Sequence, residues 1–216
     1  MLLVLVQTLG VLVFVVGTVW LRRRLNREPT VRMAERTSRM SHVLFHLGLF
    51  WPFFVTAWLT FARFEDPLGL PPLPLRHVAF AAGAVLLSVG VSLALLSFKE
   101  LGMRGRGAPS FLLAKEVVTD GLYQRSRNPL ALGWYLFCLG GSVMAGSTYL
   151  MLHTLLLLVP AHVFYLKHFE EFELEIRFGA PYRQYKQSVP FLLPRFRSHS
   201  NATRLDTWAA RARRRL

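Results

Sequence analysis

Apolar residues in this chain fall in long unbroken runs, with the polar residues gathered between them. That is neither the two-residue alternation of a half-buried strand nor the narrow stripe of a soluble helix. A helix rises about 1.5 Å per residue and the hydrocarbon core of a bilayer is about 30 Å thick, so about 20 apolar residues suffice to cross it. Five runs are predicted as membrane-spanning helices: Met1 to Leu21, Ser41 to Ala62, Leu75 to Phe98, Leu130 to Gly146 and Ser147 to Phe169. Almost no loop joins the last two. The small residues of "MAGST" allow close helix approach, which predicts a tight antiparallel hairpin in preference to one long broken helix. The expected fold class is all-α, an integral membrane helical bundle.

The first run is followed by Arg22, Arg23 and Arg24. A secretory signal carries its charge before a shorter apolar core and ends in a small-residue cleavage site, so this run is expected to stay as a span. The segment from Arg22 to Arg39 holds seven arginines against Glu28 and Glu35, whereas Arg63 to His77 balances two arginines against Glu65 and Asp66. Short basic connections stay cytoplasmic. Five spans then place the N-terminus outside and every basic segment inside, including Lys99 to Pro129 and everything after Phe169. The chain divides into N-terminal helices (1–98), a polar and glycine-bearing core (99–195) and a basic tail (196–216). The tail reads equally as an interfacial helix or a disordered segment.

A formal net charge of +14 on 216 residues, 53% of them hydrophobic, changes the picture only in its choice of partner. The charges flank spans and lack interleaved aromatic platforms, which favours anionic lipid headgroups over nucleic acid. Cys138, the single cysteine, lies in an apolar run and excludes an internal disulfide or a multi-cysteine metal site. His42 and His46 share a helix face, yet no acid stands at ligand spacing, so no metal is expected.

Candidate chemistry gathers in two segments. In "LGMRGRGAPSFLLAKEVVTDGLYQRSRNPLALG", Gly102, Gly105 and Gly107 permit tight turns, and Asn128 is extended before Pro129, which can open the fourth span. No strand precedes these glycines, so a dinucleotide-binding reading fails. In "HFEEFELEIRFGAPYRQYKQSVP", Glu173 is spaced to pair with Arg177, and Glu173 and Glu175 read as ordinary surface charges. Glu170 and Glu171 do not. They directly follow an apolar run, where adjacent like charges repel and lose hydration unless a cation or several donors stand beside them.

The two segments, in this order and separated by an apolar hairpin, resemble the isoprenylcysteine carboxyl methyltransferase family, which is related to phospholipid N-methyltransferases. The likeness covers about Leu101 to Arg195. It implies a bacterial-type inner-membrane methyltransferase using S-adenosylmethionine, with the cofactor site facing the cytoplasm and a lipophilic acceptor entering from the bilayer. By position, Val117, Val118 and Tyr123 would lie beside the adenosine, Arg127 and Asn128 at the polar end of the cofactor, and Glu170 and Glu171 at its ribose or amino group. Arg177, Tyr182 and Tyr185 match the pocket-closing segment, with Tyr182 counted as cofactor-binding and Arg177 and Tyr185 as candidate catalytic residues. Asn128 replaces the commoner histidine, Ala131 a usual tyrosine and Phe172 a frequent proline. O-methylation of a carboxylate is favoured because no residue is an obvious base, although lipid amines and small thiols remain open. The rival readings are a sterol-type reductase using NADPH, which would want basic groups where Glu170 and Glu171 stand, and a non-enzymatic scaffold or small transporter.

Overall fold

Helix starts and breaks follow local chemistry. In the computed structural model, which describes residues 1–63, 67–105 and 113–194, helix α1 (Leu2–Arg27) ends before Pro29, and the Thr30 hydroxyl then accepts the Met33 N–H to cap α2 (Val31–Phe45). The chain continues through a widened π turn, His46–Phe50, into α3 (Trp51–Arg63). Helix α4 (Arg76–Arg104) descends, and a 3-10 turn (Gly121–Gln124) leads to α5 (Pro129–Met144), which has proline in its first turn. A final rod comprises α6 (Thr148–His153), α7 (Val159–Tyr165) and α8 (Glu171–Phe178), joined by π turns at Thr154–Leu158 and Leu166–Glu170. Gly179, at φ 61° and ψ −132°, then breaks the direction before α9 (Ala180–Ser188). Only glycine takes that conformation readily.

Four rods are long and apolar enough to cross a membrane, namely Leu2–Arg27, Val31–Phe61, Arg76–Arg104 and Thr148–Phe178, and α5 is a shorter apolar helix. The protein is therefore a multi-pass integral membrane protein with the expected bundle and a hairpin between α5 and α6. All four rods exceed their sequence expectation. Helix α1 runs to Arg27, the second rod begins at Val31 instead of Ser41, α4 runs to Arg104, so Gly102 is helical, and the last span continues through the acids to Phe178. The "RGAPSFL" stretch and the basic tail lie outside the described residues.

Two π turns precede prolines, Pro52 and Pro160. Proline brings no N–H and crowds the carbonyl four residues back, and a widened turn relieves both problems without ending the helix. The first also brings Gly48 against α1, where a Cβ on Gly10 would meet the Gly48 carbonyl oxygen at 2.4 Å.

Helices α4 and α5 touch backbone to backbone. Gly83, Gly90 and Ser97 recur every seven residues on one, and Gly133 and Gly140 on the other. A Cβ at Gly83 would lie 2.3 Å from the Met144 nitrogen and one at Gly90 2.4 Å from the Phe137 nitrogen. Between membrane helices, where lipid is as apolar as any side chain, such close packing is the main attraction. Contacts at successive depths fix the order of the other spans, with α1 and the final rod parallel and α5 antiparallel to that rod: Tyr149 donates to Gln7, Tyr135 meets His162, Ser41 meets Tyr165, and Arg22 donates to the His168 carbonyl at 2.8 Å. The acids after His168 thus lie at the end of the bundle that carries Arg22 to Arg24.

Gly140→Ala places a Cβ 2.3 Å from the Leu87 nitrogen, whereas Gly141→Ala meets only the Leu87 side chain at 3.8 Å. The first is expected to lower unfolding stability in detergent by about 1–3 kcal/mol and the second to leave it unchanged or slightly raised; parallel thermal melts of the two variants measure the difference.

Candidate functional site

The two sequence segments meet at the arginine end through backbone stitching. The Arg127 N–H donates to the Pro190 carbonyl at 2.9 Å, the Ser126 hydroxyl to the Leu192 carbonyl at 2.7 Å, and the Asn128 Nδ2 to the Phe191 carbonyl at 2.9 Å. The Tyr185 hydroxyl donates to the Tyr123 carbonyl at 2.7 Å. Asn128 and Tyr185 therefore spend these donors holding one segment to the other. Val117 packs against the buried group of Tyr182, Tyr185 and Val189, and Val118 is buried beside Gly105.

The acids divide differently from their helical spacing. Glu171 accepts from the Arg127 Nη1 at 2.5 Å and from the Lys186 Nζ at 2.8 Å, and Lys186 also reaches Glu175 at 2.9 Å. Glu173, expected at the surface, is 1% exposed. It faces α2, where Ser38 hydrogen-bonds to it, and it pairs with Arg177 at 3.0 Å. The spacing identified that partner, but burial depends on α2, which only the folded bundle brings alongside. Arg177 also donates to the Ala114 carbonyl and so ties α8 to the loop before the 3-10 turn. Glu175 remains the more open acid.

Glu170 has no hydrogen-bond or ion-pair partner among the described residues. Its charge nevertheless reaches Tyr123 and Tyr182, whose phenols are raised above their ordinary range chiefly by burial and then by neighbouring carboxylates. Tyr185 is raised for the same first reason. Burial alone would lower Lys186, but its hydrogen bonds to Glu171 and Glu175 outweigh that and hold it raised. Arg127 meets the reach of Glu170 at Tyr182: its Nε is buried with no partner among the described residues, while its side chain bonds Tyr182, on which Glu170 also acts. A buried unmade hydrogen bond costs about 1–3 kcal/mol, so this corner is suited to a ligand that carries both an anionic and a cationic group.

Sequence reasoning missed two residues. Glu100, near the end of α4, accepts the Leu122 N–H at 2.9 Å and so fixes the 3-10 turn; a Cβ on Gly121, at φ 61°, would strike its carboxylate. The turn signal in "TDGLY" was the available clue. Lys186 gave no comparable signal, because it reaches Glu171 only after Gly179 turns the chain. Arg127, Glu170, Glu171, Tyr123, Tyr182 and Tyr185 do converge. Arg177 bonds Glu173 and the Ala114 carbonyl, and it is also the cation whose charge reaches Glu170.

No curated protein and no solved structure matches the chain. Residues 78–180 match the model of the phospholipid methyltransferase family, from the first turn of α4 through the acids to the start of α9. Members of that family use S-adenosylmethionine. Over residues 78–180, just under half of its length, the chain is similar to the membrane methyltransferases of the phospholipid methyltransferase family.

Proposed function

We propose that this protein transfers a methyl group from S-adenosylmethionine to a lipid-soluble acceptor that enters from the bilayer, as in the isoprenylcysteine-type enzymes it resembles, with the arginine end facing the cytoplasm. One observation carries the reading: the Arg127 Nε is buried without a partner among the described residues, and Arg127 and Glu170 both act on Tyr182, at the junction of the two segments. The amino-acid end of the cofactor fits both, its carboxylate at Arg127 and its ammonium or ribose hydroxyls at Glu170. Glu171, clamped by Arg127 and Lys186, orients the guanidinium. Tyr182 closes over that corner, and Val117, Val118 and Tyr123 form the wall for the adenosine. Asn128, Arg177 and Tyr185 are positioning residues, since their bonds join α5, α8 and α9 into one cradle.

When bound, the cofactor supplies an electrophilic methyl group on a sulfonium. The protein's own contribution is to hold donor and acceptor in line and to exclude water. Placing Glu170 at the polar end avoids stabilising the sulfonium ground state more than the transition state. With Glu170 committed to the polar end of the cofactor, the acids among the described residues supply no base at the methyl, which favours an acceptor already deprotonated, such as a carboxylate, a thiolate or a neutral amine.

Glu170→Gln is expected to weaken S-adenosylmethionine binding about 10- to 100-fold, as for one lost hydrogen bond to a charged group, with an unchanged melt. Glu173→Gln uncovers the buried Arg177 and should destabilise the fold by about 3 kcal/mol or more. Calorimetric titration and thermal melts of both variants separate binding from folding; tight binding by Glu170→Gln would remove that residue from the site.

Proteoliposomes given methyl-labelled S-adenosylmethionine should accumulate label in the lipid phase, and Arg127→Ala should abolish it. Binding of NADPH without S-adenosylmethionine by the purified protein would overturn the methyltransferase reading in favour of a reductase.

A further inference from the structure

Helices α1 and α2 precede the residues that match the family, and they leave a groove of about 630 Å³ between them. Val13, Val16 and Trp20 line it from α1, and Met40, Val43 and Leu44 from α2. At its floor Gly17 carries no side chain, and a Cβ there would lie 2.6 Å from Leu44 Cδ1. The rims stay uncovered, with Val16 59% and Val43 57% exposed. A volume within the range of about 300–1,000 Å³ of small-molecule sites, lined by apolar side chains throughout, suits a hydrocarbon chain.

Both walls end in arginine. One turn beyond Trp20 stands Arg24, its guanidinium 5.3 Å from the indole centroid, and Arg27 follows in the last turn of α1. On α2, which runs the other way, Arg36 lies one turn from Met40 and Arg32 one turn from Arg36, so both prolong the face that Met40 and Val43 present. The connection between the two helices, Glu28 to Thr30, closes the groove at that end. Glu28 is the acid in this connection, and Glu35 is engaged by Arg39 at 3.6 Å. Among the described residues no acid pairs with Arg24, Arg27, Arg32 or Arg36. Tryptophan favours the boundary between hydrocarbon and headgroups. With Trp20 at that level, the groove lies in the hydrocarbon and the arginines lie among the headgroups.

The matching ligand is an apolar chain with negative charge at one end. A second copy of the protein is a poor occupant: two copies in one membrane share an orientation, and a two-fold contact here would set these arginines against their own counterparts. The groove is also separate from the acids. Arg22 points from another face of α1 to the His168 carbonyl, and Ser41 from another face of α2 to Tyr165.

We propose that an anionic phospholipid resides here, one acyl chain in the groove between α1 and α2 and its phosphate at Arg24 and Arg36. It is a bound companion of the fold and not the methyl acceptor, so the site stands whatever the chemistry at Arg127. Guanidinium to phosphate is a charge-assisted contact, and one phosphate shared by the two helices also relieves the repulsion among their arginines.

Native mass spectrometry of the full chain in detergent, without cofactor, tests this by comparing phosphatidylglycerol with phosphatidylcholine of identical chains. Wild type should retain one phosphatidylglycerol about tenfold more tightly, as for one hydrogen bond to a charged group. Arg24→Gln with Arg36→Gln should bring the ratio close to one. Lys99→Gln with Arg125→Gln, an equal loss of charge at the same end of the bundle, should leave it at the wild-type value. Val16→Trp, at an exposed position, should fill the groove and release the lipid while the melt in lipid-free detergent stays unchanged. Glycerol phosphate, which has the charge without the chain, should not compete. Equal retention of both lipids by wild type, an undiminished ratio in the Arg24 and Arg36 variant, or the same loss in the Lys99 and Arg125 control overturns the proposal. Competition by glycerol phosphate would overturn it in favour of a free-phosphate site, and a dimer that Val16→Trp dissociates would do so in favour of a second copy.

Discussion

The buried pair of Arg127 and Glu171 fixes the arrangement of the arginine end. Its side chains retain about a tenth of their exposure, 11% and 10%. Desolvation offsets much of the attraction in such a pair, so its importance lies less in net stability than in permitting one geometry. Arg127 precedes α5, Glu171 opens α8, and Lys186 on α9 reaches the second oxygen of the same carboxylate. One acid thereby holds three elements. Because Glu171 is engaged in this way, the unmet demand falls on its neighbour Glu170 and on the remaining guanidinium N–H.

That corner needs a floor, and the glycine seam provides it. At about 1.5 Å per residue the 16 residues of α5 rise only about 24 Å, less than the core it traverses. The seam pins this short helix to α4, which runs on past it to Arg104. The extra turns of α4 present Glu100 to the Leu122 N–H, and the loop carrying Val117, Val118 and Tyr123 settles against them. Backbone contact on one side of α5 and aromatic rings on the other hold the helix between α4 and the α2–α3 rod.

Composition carried the spans, because membrane helices differ so strongly from their links, and the acidic pair was visible because charges are rare beside apolar runs. What stayed hidden required knowledge of neighbours. A helical wheel paired Glu173 with Arg177 but could not bring Ser38 alongside, so a buried acid read as a surface one. The π turn at Leu166–Glu170 adds a residue to the turn just before α8 and rotates every acid that follows, and unlike the other two it has no proline in the following turn to announce it. Lys186 enters the site only through the backbone of Gly179.

The polar groups sort by depth in a way that limits where charge can change. At the arginine end, Arg127, Lys186 and Arg177 balance Glu171, Glu175 and Glu173 within hydrogen-bond reach. Above it, the pairs are neutral: Ser41 with Tyr165, Tyr135 with His162, Ser142 with Thr154, and Gln7 with Tyr149. Neutral pairs satisfy polar groups in a bundle without the desolvation that ions demand there. The proposed transfer, which neutralises a positive donor, therefore has its place at the lower level, beside fixed ions. The upper level, with only neutral pairs among the described residues, holds no ion pair to take part in it.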